Sequence, residues 1–341
     1  MAKQLRLGFI GCGSLGKTHS EAVKATANIQ HVAYCDLRKE RSKELAAQFG
    51  GEAFTDPEKM AATMDLDAVW ICLPPFAHGE AEAAAIAHQV PFFVEKPVGL
   101  DVKLTAKLAA TVAKTGLITC AGYMNRYRKS ADAARKVLLA DPAAYAAGGW
   151  LGGPPPPKPD PNTIIGWWVQ KDKSGGQFTE QVTHTIDLAR YLMGDAASVS
   201  AYAAHGFVKG VNKYSIDDAL AVAVQFKSGA VANFCASVAC AARGGIFLDL
   251  YARNVAVAFS GWSHDAEIYT AGKKKPQAVA GVAASAPDIF AVEDAAFLKA
   301  VRTGNPAGIK TTYGDALKTL ELTVAATESA AKGGKAIALK Y

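Results

Sequence analysis

The segment from Leu5 to Glu21, LRLGFIGCGSLGKTHSE, limits the fold of this chain more than any other part. An apolar, strand-like run enters a turn with glycine at its first, third and sixth places, and a helix-like segment follows. Gly11 permits the tight turn, Gly13 lets the main chain approach a pyrophosphate, and Gly16 lets the helix pack closely on the strand. The N–H groups at the start of that helix can bind phosphate. The residues of this turn predicted to contact a dinucleotide cofactor are Gly11, Gly13, Ser14, Leu15 and Gly16.

An acidic residue follows the second strand where a dinucleotide site would require one. The strand-like run from Gln30 to Cys35 ends at Asp36, and a carboxylate about 20 residues after the glycine turn can hydrogen-bond the adenosine ribose hydroxyls. The alternative is a solvated carboxylate or a helix cap. Because this carboxylate would repel a 2′-phosphate, we predict NAD as the cofactor, while Arg38 and Arg41 nearby leave room for NADP.

Composition and charge narrow the class of protein. The 341 residues suit two domains of about 150 residues each. The 37 basic and 31 acidic residues give a net charge of +6 without a basic run interleaved with aromatic residues, so we expect no nucleic-acid partner. The longest apolar run is shorter than the about 18 residues of a membrane span, and the N-terminal sequence does not follow the pattern of a signal peptide.

The cysteines and histidines indicate a cytoplasmic protein without a metal site. The six cysteines form no C-x-x-C pair, and four of them lie in or beside apolar strand-like segments, which is typical of small buried residues in a reducing compartment. Five histidines have no companion at metal-ligand spacing. They are His19, His31, His88, His205 and His264.

Strand-like and helix-like segments alternate over residues 1–125. This pattern predicts an α/β domain with a doubly wound parallel sheet that binds ligands at the carboxyl ends of its strands. Those ends carry Gly11, Asp36, Pro74 and Lys96. The stretch from Trp150 to Ile165 is rich in proline and glycine and predicts a loop, either a lid or a rigid connector. From Ala197 onward strands follow one another directly, which predicts an α+β second domain over residues 126–341 with an antiparallel sheet.

Five motifs of this chain occur together in one enzyme family. They are the Gly11 to Gly16 turn, Leu73-Pro74-Pro75 followed by His78, Glu95-Lys96-Pro97, Gly175-Gly176 leading to Glu180 and His184, and the segment from Asp315 to Gly334. With them the chain resembles, over nearly its whole length, the glucose-fructose oxidoreductase and inositol dehydrogenase (Gfo/Idh/MocA) family of NAD(P)-dependent sugar and polyol oxidoreductases. The resemblance implies a Rossmann domain followed by a domain with a large, open, mostly antiparallel sheet. Since that sheet often forms an oligomer interface in the family, we expect a homodimer or homotetramer.

Lys96 is the first candidate catalytic residue. A cation at a strand end beside the nicotinamide can hold the substrate oxygen, stabilise alkoxide character or carry a proton. The alternative is a surface lysine paired with Glu95. The resemblance favours the catalytic role.

His184 and Glu180 are the other candidate catalytic residues. They lie four residues apart in a segment predicted to be helical from Phe178 to Leu192, so we expect them to share one face. Neutral histidine is the side chain best matched to accept a hydroxyl proton at physiological pH. The resemblance implies that His184 is the base or acid and that position 180 is a substrate or proton-relay carboxylate, although family members commonly have Asp there. Asp187, one turn further, could orient His184 or form a helix salt bridge.

Further residues are candidates for binding. Asn125 and Arg126 follow the last Rossmann strand and could donate to substrate hydroxyls. Trp167 and Trp168 resemble the family's aromatic stretch near the nicotinamide, with sugar stacking or core packing as alternatives. Outside the glycine turn, the residues predicted to line the cofactor are Asp36, Arg38, Leu73, Pro74, His78, Glu95, Lys96, Trp167 and Trp168. Those predicted to bind substrate are Lys96, Asn125, Arg126, Glu180 and His184.

Together these features predict an NAD-dependent dehydrogenase. It would transfer hydride between a ring carbinol of a cyclic sugar, sugar derivative or inositol and the nicotinamide. Two alternatives are an NAD-dependent glycosidase that acts by transient oxidation and a non-catalytic dinucleotide-binding sensor. A sensor is expected to have lost the lysine and the histidine, and this chain keeps both.

Overall fold

The computed structural model describes residues 4–282 and 288–341, which fold into two compact units. The first unit contains residues 4–124 and 288–317, and the second contains residues 125–282 and 318–341. The first boundary lies one residue from the predicted end of the Rossmann domain. Residues 288–317 were expected in the second domain but belong to the first unit. None of the helices in the described ranges is long and apolar enough to cross a membrane.

Six parallel strands form the sheet of the first unit, in the order β3-β2-β1-β4-β5-β6. The strands are β1 (Leu5–Ile10), β2 (Ile29–Cys35), β3 (Glu52–Phe54), β4 (Ala68–Ile71), β5 (Phe92–Val94) and β6 (Thr119–Ala121). The helices are α1 (Ser14–Lys24), α2 (Lys39–Phe49), α3 (Pro57–Thr63), α4 (Glu80–Ala87) and α5 (Val102–Thr115). The predicted parallel Rossmann sheet is confirmed.

Local sequence explains where two of these helices begin. The Asp56 carboxylate accepts hydrogen bonds from the main-chain N–H groups of Glu58 and Lys59 and so caps the start of α3, where Pro57 is the first helical residue. Asp101 caps α5 in the same way. Helix α4 begins at Glu80, after a 3₁₀ turn over Pro75–Ala77.

Residues 288–317 complete the core of the first unit. Helix Ile289–Thr303 places the Phe297 ring edge-on to Trp70, with ring centroids 5.1 Å apart. Phe93 packs against the same phenylalanine. All three rings are fully buried. A long-range return of the chain of this kind leaves no local sequence signal, which is why the sequence analysis missed it.

Nine strands form the sheet of the second unit, and all neighbouring pairs except one are antiparallel. The strands are β7 (Tyr145–Leu151), β8 (Ala196–Ala204), β9 (Ala219–Phe226), β10 (Val231–Ser237), β11 (Gly245–Tyr251), β12 (Val255–Ser260), β13 (Asp265–Thr270), β14 (Gln277–Val279) and β15 (Ile337–Ala338). Their order is β14-β13-β12-β11-β7-β10-β9-β8-β15. The predicted large, mostly antiparallel sheet is confirmed.

Helices cover one face of this sheet. They include α6 (Lys129–Ala140), α9 (Gln177–Glu180), α10 (Thr183–Met193) and part of α12 (Tyr313–Ala331). The short helices α7 (Ile164–Trp168) and α8 (Lys171–Ser174) precede α9, and α11 is the Ile289–Thr303 helix of the first unit. The core contains Phe178 and Ile186 against strand residues such as Val222 and Leu250. The opposite face of the sheet is the outer face.

Strand β7 was not predicted, and it shortens the proline-rich loop. Trp150 belongs to this strand, although the sequence analysis placed it in the loop. β7 lies between β11 and β10 and pairs in parallel with β10. The two glycines of β7, Gly148 and Gly149, are not typical of a central strand. A Cβ atom on Gly149, however, would lie 2.3 Å from the carbonyl oxygen of Cys235. Close packing therefore requires glycine where strand propensity disfavours it.

Candidate active site and cofactor-binding site

The glycine turn between β1 and α1 has two glycines that the protein itself requires. Gly11 has φ +91°, and a Cβ atom there would lie 2.3 Å from the carbonyl oxygen of Cys72. A Cβ atom on Gly16 would lie 2.0 Å from the carbonyl oxygen of Gly11. Both observations confirm the tight turn and the close packing of helix on strand.

Gly13 has a different environment. In the described part of the chain, the atom nearest to a Cβ placed on Gly13 is Nη1 of Arg41, 3.9 Å away. Gly13 is also the N-cap residue of α1, and among the described residues no side chain caps this helix and no acidic residue occupies its first turn. An added Cβ would therefore fill space over uncapped N–H groups, which is the arrangement that binds a pyrophosphate.

Asp36 connects the end of β2 to this turn. Its Oδ2 atom accepts a hydrogen bond from the main-chain N–H of Cys12 at 2.9 Å. Its Oδ1 atom accepts one from the main-chain N–H of Arg38 at 2.8 Å. The side chain is half-buried. Both contacts hold the carboxylate at the carboxyl edge of the sheet, where it was predicted to meet a ribose.

The loop after β4 is organised by a buried contact between His78 and Glu82. His78 faces the Glu82 carboxylate through Nδ1 at 2.5 Å and the Leu73 carbonyl through Nε2 at 3.1 Å. Burial alone would raise the pKa of Glu82, but His78 and the N–H of Gly79 lower it below its ordinary value. His78 thus holds the loop that contains Pro74. Direct contact of His78 with the cofactor stays a prediction.

Glu95 fixes the position of Lys96 at the end of β5. The Glu95 side chain is buried, and its Oε2 atom accepts the main-chain N–H of Lys96 at 3.0 Å. Its Oε1 atom lies 2.9 Å from Nε2 of His19. The Glu95 carboxylate is also packed closely, because a Cβ on Gly122 would lie 3.0 Å from it. Glu95 is therefore a buried support for the strand end that carries Lys96.

His19 belongs to a buried network that the sequence analysis missed. Its Nδ1 atom lies 2.9 Å from Oδ1 of Asp294, which also accepts the indole N–H of Trp70 at 2.8 Å. Burial opposes charge on His19, but Asp294 and Glu95 raise its pKa well above the ordinary value. With a carboxylate at each ring nitrogen, His19 is a protonated imidazolium. A signal existed in the sequence: His19 lies three residues after Gly16 and four before Val23, on the buried face of α1.

The same network has the residue types of a metal site. One ligand atom from each of His19, Glu95 and Glu293 lies within 4.8 Å of the others. Metal binding to His19 would need a ring nitrogen lone pair, yet both ring nitrogens face carboxylate oxygens. We therefore interpret the cluster as an ion-pair network.

Glu180 and His184 do not lie on one continuous helix. Helix α9 ends at Glu180 and α10 begins at Thr183, so the predicted single helix from Phe178 to Leu192 is wrong. The main-chain N–H of His184 donates to the Gln181 carbonyl at 3.2 Å, which breaks the four-residue repeat between the two side chains. Glu180 is half-buried and His184 is buried.

Asp187 anchors α10 through Arg126. The guanidinium donates two hydrogen bonds of 2.7 Å to the carboxylate, and Thr319 donates a third at 2.9 Å. In the described part of the chain, the hydrogen bonds of the Asp187 carboxylate thus come from Arg126 and Thr319. A role of Asp187 in orienting His184 or in a helix salt bridge stays a prediction. The predicted contact of Arg126 with a substrate hydroxyl stays a prediction.

Asn125 holds a turn that carries an aromatic side chain. Its Oδ1 atom accepts from Nε of Arg128 at 2.7 Å, and its Nδ2 atom lies 3.3 Å from Nε2 of His264. Burial lowers the pKa of His264 to about 4, so this ring is neutral. His264 and Arg128 both donate to the main-chain carbonyl of Trp262. Substrate binding by Asn125 stays a prediction.

The Trp262 side chain lies against His184. The two ring centroids are 6.0 Å apart with an interplanar angle of 81°, and the Trp150 ring also packs against Trp262, with ring centroids 6.0 Å apart. Trp262 is 51% exposed although its main chain is held by two hydrogen bonds. The sequence analysis missed Trp262, because a tryptophan in a turn between strands follows no motif.

Trp167 and Trp168 occupy α7. Trp168 is buried in a small core with Val169, Ile216 and Val238, and Trp167 packs against the same core. For Trp168 this burial agrees with core packing, which was one of the alternatives raised for it. Cofactor contact of Trp167 stays a prediction.

All six cysteines are free thiols, and four of them are buried: Cys12, Cys35, Cys72 and Cys120.

The geometry of the first unit agrees with a comparison of the sequence with protein families. Residues 5–123 match the oxidoreductase family with an NAD-binding Rossmann fold, and residues 151–255 match the GFO/IDH/MocA C-terminal domain. The chain belongs to the Gfo/Idh/MocA family of oxidoreductases. The resemblance seen in the motifs is confirmed, and so is NAD as the cofactor of the Rossmann domain.

Individual Gfo/Idh/MocA relatives act on inositols. Myo-inositol 2-dehydrogenase of Thermotoga maritima is 28% identical over 238 residues, 67% of this chain and 66% of that protein. NAD-dependent scyllo-inositol 2-dehydrogenase of Bacillus subtilis is 29% identical over 246 residues, 70% of this chain and 68% of that protein. The chain thus spans about two thirds of the length of the curated relatives it matches.

Solved structures confirm the fold over the whole chain. Levoglucosan dehydrogenase in complex with NADH matches with a TM-score of 0.85 at 22% identity, covering 98% of this chain and 99% of that one. An oxidoreductase domain protein from Kribbella flavida matches with a TM-score of 0.86 at 20% identity, covering both chains completely.

Proposed function

We propose that this protein is an NAD-dependent dehydrogenase that oxidises a ring carbinol of an inositol, cyclic sugar or sugar derivative. The observation that carries the proposal is Lys96, held by Glu95 at the carboxyl end of β5 in a Rossmann sheet. Ligands of such sheets bind at this edge. The inositol dehydrogenases among the relatives support the substrate class.

Lys96 is assigned to the substrate oxygen. When bound, NAD supplies the hydride acceptor at C4 of its nicotinamide. The ammonium group of Lys96 donates a hydrogen bond to the hydroxyl that is oxidised and stabilises the negative charge that develops on its oxygen. This interaction is stronger in the transition state than with the neutral alcohol, so it contributes to kcat.

His184 is assigned to the hydroxyl proton. Oxidation of an alcohol releases a proton, and a neutral imidazole is a suitable acceptor near pH 7. Glu180, on the preceding short helix, is assigned to a neighbouring hydroxyl. Because Gly175 and Gly176 both have positive φ, the chain turns sharply between α8 and α9, just before the helix that carries Glu180.

Trp262 supports a ring-shaped substrate. Its half-exposed indole lies next to His184. Pyranose and inositol rings expose C–H bonds on their faces, and a flat aromatic surface packs well on such a face while the hydroxyls point outward. We infer that Trp262 contacts one face of the substrate ring.

The test is reduction of NAD⁺ and NADP⁺, followed by absorbance, across inositols, aldoses, anhydrosugars and glycosides. We expect NADH formation with a cyclic polyol or sugar and a loss of at least 100-fold in kcat for Lys96→Ala, with Lys103→Ala as the control on a helix. The same rate for Lys96→Ala and wild type would contradict the assignment of Lys96.

The panel also separates the other two functions. An NAD-dependent glycosidase would cleave a glycoside with retained cofactor and without net formation of NADH. A sensor would bind NADH and turn over none of the compounds.

We also propose that two copies associate through the outer face of the nine-stranded sheet. Strand β9 alternates buried residues with Ala221 and Ala223 on that face, and the strand registers place the exposed rings of Tyr202, Tyr251 and Tyr269 there too. Such a row of small and aromatic residues suits a flat, close contact. Light scattering should give at least a dimer for wild type and a monomer for Ala223→Arg.

A further inference from the structure

The proposed function assigns no role to the buried network around His19 in the first unit. It joins three segments that are distant in sequence: α1 through His19, the end of β5 through Glu95, and α11 through Asp294. All these side chains are buried. Phe93 and Phe290 pack on the imidazole with ring centroids at 4.9 and 5.5 Å.

We propose that His19 is a positioning residue for Lys96, because it holds the Glu95 carboxylate that receives the Lys96 main-chain N–H. The chain of contacts is short. His19 binds one oxygen of Glu95 at 2.9 Å, and the other oxygen accepts from Lys96 at 3.0 Å. The inference rests on the role of Lys96 in the proposed function.

Charge explains why a histidine is needed here. Asp294 and Glu95 would be two buried carboxylates close to one another without the imidazolium between them, and Glu293 adds a third buried carboxylate nearby. Trp70 neutralises no charge, since its indole only donates a hydrogen bond. Loss of the imidazolium would leave like charges to repel each other and would remove the contact that fixes Oε1 of Glu95, whose other oxygen holds Lys96.

A small movement of Lys96 would affect the reaction strongly. Misplacement of a catalytic group by about 1 Å can reduce a rate by about 100-fold. The glycine turn would be little affected, because its geometry depends on Gly11, Gly16 and Cys72. We therefore expect loss of kcat with little change in cofactor affinity.

The experiment compares His19→Gln with wild type by two measurements. The first is hydrogen exchange of the Lys96 amide, and the second is the pair of kcat and KM for NAD⁺ with the best ring substrate. Exchange should become at least tenfold faster and kcat should fall at least tenfold, while KM for NAD⁺ changes less than threefold. His31→Phe is the matched control, since His31 is a buried histidine of the same unit that binds Tyr34.

A role in stability alone would lower the melting temperature and leave amide exchange at Lys96 and kcat unchanged, and this result in a folded His19→Gln would overturn the proposal. If His19→Gln does not fold, Asp294→Asn takes its place, because it removes the charge that holds Nδ1 of His19 and keeps nearly the same side-chain volume. Amide exchange at Lys96 and kcat are then measured in that variant, and unchanged values of both would overturn the proposal.

Failure of the proposed function gives a different result. If wild type oxidises none of the compounds, the dehydrogenase proposal is contradicted. Amide exchange at Lys96 in His19→Gln still tests the positioning of Lys96, because it needs no substrate. Unchanged exchange would then refute the role of His19.

Discussion

The carboxylate of Asp36 accepts the main-chain N–H of Cys12, the second residue of the glycine turn, at 2.9 Å. This hydrogen bond places a negative charge directly beside the turn. The residue that we propose to discriminate between the two nicotinamide cofactors is thus hydrogen-bonded to the turn that is predicted to bind their pyrophosphate.

We expect Asp36→Asn to reduce the preference for NAD⁺ over NADP⁺ by about 10- to 100-fold. The amide oxygen keeps an acceptor for one of the two main-chain N–H groups, of Cys12 or Arg38, and the substitution removes the charge that repels a 2′-phosphate. Hydrogen bonds to charged groups contribute about 1.5–3 kcal/mol. The measurement is kcat/KM for both cofactors. Asp36→Ala, which also removes the acceptor, should weaken binding of both cofactors. An unchanged ratio in Asp36→Asn would show that the carboxylate does not select the cofactor.

Shortening Glu180 should change substrate use without harming the fold. Glu180→Asp restores the residue common in the family and withdraws the carboxylate by one methylene. Since Glu180 is half-buried at the end of a short helix, we expect a melting temperature within about 2 °C of wild type and a three- to tenfold change in KM for the ring substrate. Equal KM values for all tested sugars would contradict the assignment of Glu180 to a hydroxyl.

Trp262 should contribute mainly to substrate binding. Trp262→Ala removes the aromatic surface next to His184, and we expect KM for the ring substrate to rise about 10-fold, since aromatic contacts contribute about 0.5–1.5 kcal/mol beyond burial of area. Trp262→Phe should recover most of this loss. KM for NAD⁺ is the internal control. A variant that loses kcat and keeps KM would place the indole in the chemical step.

The ion pair of Arg126 with Asp187 should stabilise the second unit. Asp187→Asn leaves a buried guanidinium without its counter-charge, and loss of one partner of a buried pair costs about 3–5 kcal/mol. We expect a fall of several degrees in the melting temperature of the second unit, measured by calorimetry. The double variant Arg126→Met with Asp187→Leu should recover part of the loss. Equal stability of wild type and Asp187→Asn would contradict this role.

His31 should make the first unit sensitive to acid. Burial, assisted by the charge of Lys24, lowers the pKa of His31 to about 4, against about 6.5 in an unfolded chain. Between these values the unfolded state binds more protons, so the free energy of unfolding falls as the pH drops from about 6.5 to about 4. The loss should be about 2 kcal/mol after allowance for solvent screening.

His31→Phe removes the titrating group and keeps an aromatic ring beside Phe9 and Phe49. Melting temperatures measured at pH 7.5 and pH 4.5 should therefore differ less in this variant than in wild type. Parallel pH profiles of the two proteins would assign the acid sensitivity to other groups.

The strand ends were predictable from the sequence, because each is marked by local chemistry. Gly11, Asp36 and Lys96 follow apolar strands directly, and a parallel sheet brings such positions to one edge. The same local logic failed at Glu180 and His184. The break between the two helices consists of Gln181 and Val182, neither of which is a glycine or a proline. The continuous pattern of helix formers therefore predicted one helix where the structure has two.

Contacts between distant segments were not predictable. Asp294 is 275 residues from His19, and neither residue type indicates its partner. Likewise, Gly149 reads as a residue unsuited to a strand until Cys235 is seen against it. In both cases packing between remote parts of the chain determines the local structure and outweighs local propensity.

The return of residues 288–317 to the first unit has a consequence for biosynthesis. When a ribosome has completed the sixth strand, His19 and Trp70 still lack the carboxylate they share, and Trp70 and Phe93 lack the ring of Phe297. At about 5–20 residues per second, Asp294 is added roughly 10–30 s later. During that interval Trp70 and Phe93 lack the helix that packs on them in the finished unit, so we expect the core of the first unit to be completed only after strands β7 to β14 have been made.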